Sequence, residues 1–200
     1  MQKKTYNRNV INFLIINFIY ISVFSIWFYM SGNREFLIYI FVMIALVFTI
    51  FFTDKKVEYP NSVFIGFTIW GIIHMMGGGF SFNGTRFYDL ILLPVSEKYS
   101  ILKYDQVAHV VANYLATILM FLIIRGKFQN KIKSWFAISV VVVMAGSGIG
   151  AINELIEFLA FLKTGSTGMG GYVNTLLDLF FNLIGGIIAM TYIRLKKGKI

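Results

Sequence analysis

The sequence predicts an all-α fold, a polytopic transmembrane bundle of about six spans with both termini on the cytoplasmic side. Three observations carry that expectation. Of 200 residues, 58% are hydrophobic and only 14% charged, and the mean hydropathy is +0.74; soluble domains carry roughly a quarter charged residues. Six continuous apolar runs approach or exceed the roughly 20 helical residues that cross a hydrocarbon core of about 30 Å. They lack the alternation of barrel strands, and a helix satisfies its own backbone groups in lipid where an open strand does not. Lysine and arginine, finally, gather in alternate connecting segments, the pattern that sets orientation.

The runs are Val10 to Met30, Phe36 to Phe52, Ser62 to Met76, Val107 to Ile124, Trp135 to Leu162 and Leu176 to Ile193. The first is about twice the length of a signal-peptide core and no Ala-x-Ala site follows it, so it reads as a span. The third is short and the fifth long. Lys3, Lys4 and Arg8 precede the first run, Lys55 and Lys56 follow the second, and Arg125, Lys127, Lys131 and Lys133 follow the fourth. Arg194, Lys196, Lys197 and Lys199 end the chain. The opposite side has only Arg34, Arg86, Lys98, Lys103 and Lys163, which makes it extracytoplasmic. The longest connection, Gly77 to Gln106, lies there. It opens on a Gly77–Gly79 triplet read as flexible and contains Pro94, and its middle, Tyr88 to Val95, is expected to dip into the interface. A loop this long in a compact bundle is more often functional than not. No repeat or soluble domain is visible. The chain reads as a single membrane domain over residues 1–200, with an N-terminal two-helix hairpin (1–56) and a four-helix core (57–200).

The net charge of +9 does not point to nucleic acid, because the basic residues lie between apolar runs and not along one polar face. The expected partners are membrane lipids. Without cysteine there is no thiolate ligand or thiol nucleophile, so any metal needs histidine and carboxylate ligands.

Ionisable side chains inside spans are costly and mark functional sites. The first two runs hold none. His74, His109, Glu154, Glu157 and Asp178 fall in runs three to six, and Asp105 sits at the mouth of the fourth. At a rise of about 1.5 Å per residue, all lie within roughly 12 Å of the outer boundary. Residues three or four apart share a helix face, which gives three stripes: Asp105, His109 and Asn113; Glu154 and Glu157; Asp178, Asn182 and Gly186. The small residues Gly146 to Ala151, and Gly185 with Gly186, let helices approach closely. The two glutamates repel unless a proton or a cation lies between them. Each residue also has a plainer reading. Asp105 suits a helix start, His74 a carbonyl partner, Asp178 and Asn182 interhelical glue, and Arg86 is an ordinary loop residue.

The stretches YDQVAH (Asp105, His109), NELIEF (Asn153, Glu154, Glu157) and YVNTLLDLFFNLIGG (Asp178, Asn182) resemble the signature of VanZ-like membrane proteins, particularly of the YjdF-like group. The resemblance covers runs three to six, so that residues 57–200 form a VanZ-like core. It departs at Gln106, where those proteins carry Lys, and after Glu154, where Glu157 and the segment Lys163 to Gly171 replace a Gln and Arg. The glycopeptide resistance of the founding member is therefore not carried over.

Three readings stay open. In the first, the site binds or processes an envelope lipid or lipid-linked head group, with Glu154, Glu157, His109, Asp105 and Asp178 as catalytic candidates and Asn182, Arg86, His74 and Asn153 as substrate-binding candidates. A divalent metal ion held by His109, Glu154, Glu157 and Asp178 would assist it. The second is an ion- or proton-coupled transporter or channel. The third is a non-catalytic protein that binds a lipid or an antibiotic beneath the long loop.

Overall fold

A computed structural model describes residues 8–96, 98–128, 132, 134–165 and 170–200. Lys3, Lys4, Lys131, Lys133 and residues 166–169 of the glycine-rich segment lie outside the described residues. Six helices are long and apolar enough to cross a membrane: α1 (Arg8–Met30), α2 (Arg34–Val57), α3 (Asn61–Gly79), α4 (Tyr104–Arg125), α5 (Trp135–Thr164) and α6 (Gly171–Leu195). The chain is a multi-pass integral membrane protein with an all-α core.

Local chemistry sets the helix ends. The Asn33 side chain accepts from the Phe36 N–H at 3.1 Å and caps α2, which starts at Arg34, ahead of the apolar run that begins at Phe36. Pro60 precedes α3, Ser134 caps α5 through the Ala137 N–H, and Gly165 ends α5 at a φ of 66°. At 30 residues α5 is about 45 Å long, well beyond a hydrocarbon core, and tilts or projects from it.

The Gly77–Gly79 triplet is helical, not flexible. It forms the last turn of α3, and the missing side chains are what let aromatic rings close on it: Gly78 meets the Phe36 ring, and a Cβ at Gly77 would stand 2.8 Å from Tyr88. The connection that follows is ordered. Strands β1 (Ser81–Phe82) and β2 (Thr85–Arg86) form a hairpin whose turn residues Asn83 and Gly84 both have positive φ, as a tight hairpin requires. A 3-10 turn over Phe87–Asp89 buries Tyr88, and β3 (Ile91–Ser96) pairs antiparallel with β4 (Ile101–Lys103). Within Tyr88–Val95, therefore, Tyr88 points into the protein, whereas Ile91, Leu92, Leu93 and Val95 are exposed.

Outward faces are apolar, with Phe18, Phe41, Phe136 and Met144 all exposed, and polar groups are inside, as lipid demands. Asn17 ties α1 to α3 by donating to Thr68 at 2.9 Å and accepts from Tyr20 at 2.8 Å. Helices α4, α5 and α6 pack mutually through small residues. Gly146 lies on Thr117, a Cβ at Gly150 would stand 2.6 Å from Asn182, and Gly185 lies on the Val110 carbonyl. The antiparallel order brings the starts of α2, α4 and α6 and the ends of α3 and α5 to one end of the bundle.

Candidate functional site

At that end, α4 begins with Asp105 in its first turn, and His109 follows one turn later on the same face. The imidazole is the hub of the site. Its Nε2 lies 3.5 Å from Asp105, and its Nδ1 stands between Asn182 Oδ1 at 3.4 Å and Glu154 Oε1 at 3.6 Å. Helix α6 supplies Asn174, Asp178 and Asn182, spaced four apart and all buried. Asn174 donates to Asp178 and, at 3.4 Å, to Asp105, while its carbonyl accepts from Lys103 Nζ at 2.6 Å. Helix α5 supplies Glu154 and Glu157, the latter accepting from Asn153 at 2.7 Å.

Two sets of ligand atoms converge, Asp105 with His109 and Asp178, and His109 with Glu154 and Glu157, each set lying within 4.8 Å. Four acidic side chains thus surround one imidazole. Glu154 Oε1 and Asp178 Oδ1 have no hydrogen-bond donor among the described residues, although Glu154 is 7% exposed and Asp178 0%. Buried oxygens without donors are costly, and like charges compound the cost. A cation or protons offset it, and His plus carboxylate oxygens suit a hard to borderline divalent ion.

A cavity of about 170 Å³ opens beside this cluster, between α2, α3, α4 and α5. Its lining is graded. Toward the loop end stand Glu35, Asp105, His109, Asn153 and Glu157; further in, Asn113 and Asn182 are joined by Val42, Leu46, Phe67, Ala112, Ala116 and Leu119. One wall is aromatic. His74 stacks on Trp70 at 5.2 Å, with Tyr39 at 5.9 Å and Tyr88 at 5.7 Å. Burial first, then the carboxylates of Asp105 and Glu157, push the Tyr88 phenol well above its ordinary value, so it stays protonated beside Nδ1 of His74.

The structure brings Asp105, His109, Asn153, Glu154, Glu157, Asp178 and Asn182 together. His74 lines the cavity but belongs to the aromatic wall and not to the carboxylate cluster. Arg86 is apart from both, held 3.2 Å from Asp89 and 3.8 Å from Glu35 at the rim. Sequence reasoning missed Glu35, Tyr39, Lys103 and Asn174. The expectation that the first two spans are free of ionisable groups fails because α2 starts at Arg34 and carries Glu35 inward. Asn174 had a signal, since it extends the Asp178–Asn182 stripe back by one turn. Lys103 had none.

A family model described as predicted membrane protein (DUF2238) matches residues 11–198. No curated protein and no solved structure matches the chain.

Proposed function

Because this chain belongs to the DUF2238 family of predicted membrane proteins, its activity has to be read from its site, and we propose that the cavity binds the head group of a membrane lipid for processing. The observation that carries this reading is the gradient of the lining, polar at the loop end and apolar toward the middle of the bundle, which matches an amphiphile. The stretches that resemble VanZ-like proteins supply the polar end, and we place the family in that wider group on this ground.

In this reading His109 with Glu154 and Glu157, or with Asp105 and Asp178, would hold a divalent cation, which would supply Lewis-acid activation of a phosphoryl or acyl oxygen or of water. Asn182 and Asn153 orient the head group, and the inner apolar part holds hydrocarbon. Transport ranks behind this reading, because the inner part of the cavity offers no charge to an ion. The basic residues concentrate at the end away from the site, which supports cytoplasmic termini and a site in the outer leaflet.

Native mass spectrometry tests the reading. The wild-type protein should retain lipid. Ala112→Trp, which fills the inner cavity, should lose it while keeping a helical, monodisperse fold. Equal lipid retention by a folded Ala112→Trp protein would remove the reading.

A further inference from the structure

The charge of the cavity wall narrows the ligand. Three carboxylates line it, from Glu35, Asp105 and Glu157, and no lysine or arginine does so among the described residues. Arg86 stands at the rim between Glu35 and Asp89, and Lys103 is directed to Asn174 and Asp89. Glu35 also accepts from Tyr39 at 3.2 Å. Glu157 accepts from Asn153, and no described cation pairs with it.

Trp70, Tyr39 and Tyr88 line the same cavity, Tyr39 beside Glu35. A cavity lined by both aromatic rings and carboxylates suits an organic cation, which the rings attract through their π systems and the carboxylates through charge. Asn113 and Asn182, each 1% exposed, add amide groups to the lining. A bare phosphate would meet three carboxylates and no lysine or arginine among the described lining residues.

We infer that the cavity selects lipids whose head group carries an ammonium, bound between the Trp70–Tyr39–Tyr88 wall and the carboxylates of Asp105 and Glu157. The inference rests on the lipid-binding reading above. It shares Asp105 and Glu157 with the two sets of metal-ligand atoms, and it is distinguished from a metal site by holding without metal.

The test offers purified wild-type protein, in chelator, an equimolar mixture of chain-matched phosphatidylethanolamine and phosphatidylglycerol, with bound lipid read by native mass spectrometry. The expected result is about a tenfold preference for the ethanolamine lipid. N-acetylating its amine, which removes the charge and keeps the rest, should abolish the preference on the unaltered protein. Glu157→Gln should reduce the preference for the ethanolamine lipid. Equal retention of both lipids, or of the acetylated one, overturns the inference but leaves the groove standing, provided Ala112→Trp still expels lipid. If Ala112→Trp expels nothing, the lipid-binding reading fails first and this inference falls with it.

Discussion

Nδ1 of His109 lies 3.6 Å from Oε1 of Glu154, a buried oxygen that no described donor satisfies. The pair joins α4 to α5 where three further carboxylates converge, so its chemistry links stability to occupancy of the site.

Removing the charge at Glu154 therefore has two opposite effects. In chelator, Glu154→Gln should be as stable as wild type or more stable by about 1–3 kcal/mol, since it relieves like-charge crowding. With a divalent cation present the order should reverse if the cation is held by His109, Glu154 and Glu157, and should persist if it is held by Asp105, His109 and Asp178. Thermal unfolding in detergent with and without manganese measures both. His109→Ala should abolish the response to metal while still inserting into the membrane; failure of that variant to accumulate would make the histidine structural.

The response to metal should depend on pH in one direction. Imidazole and carboxylates bind metal only when deprotonated, so affinity falls as pH falls. At a concentration 100 times Kd the cation adds about 2.7 kcal/mol of stability. A titration followed by manganese paramagnetic resonance should show weaker binding at pH 5 than at pH 7.5, and binding that strengthens on acidification would contradict the ligand set.

The glycines give a contrast that chemistry at the site does not enter. Gly78→Ala drives a methyl into the Phe36 ring and should cost about 1–3 kcal/mol, whereas Gly148 has nothing within 4 Å and Gly148→Ala should gain up to about 1 kcal/mol of helix propensity. Denaturant unfolding in mixed micelles separates the two.

Much of this architecture was legible because lipid leaves few options. Continuous apolar runs had to be helices, and the spacing of Asp105, His109 and Asn113, or of Asp178 and Asn182, placed them on shared faces. Glu35 was hidden because the cap at Asn33 starts α2 ahead of its apolar run. Lys103 meets Asn174 across 71 positions, a pairing that no local pattern announces. The aromatic wall was invisible for another reason. With 21 Phe and 11 Tyr in the chain, rings at Tyr39 and Tyr88 look like any other membrane aromatics. Glycine misled at residues 77–79 because the same residue serves a flexible link and a tight helix contact.

The chain has no cysteine, so single-cysteine labelling tests its orientation cleanly. Phe82→Cys, in the exposed β1 strand, should react with an impermeant maleimide on intact cells, and Lys199→Cys only after permeabilisation. The reverse pattern would put the site in the inner leaflet.

The most direct measurement is an experimental structure of the protein in lipid nanodiscs. The account predicts an acyl chain between Leu46 of α2 and Ala116 of α4, with its head group among Asp105, Glu157 and Trp70. A cavity closed by direct packing of α2 on α5, with lipid confined to the outer faces of the bundle, would contradict it.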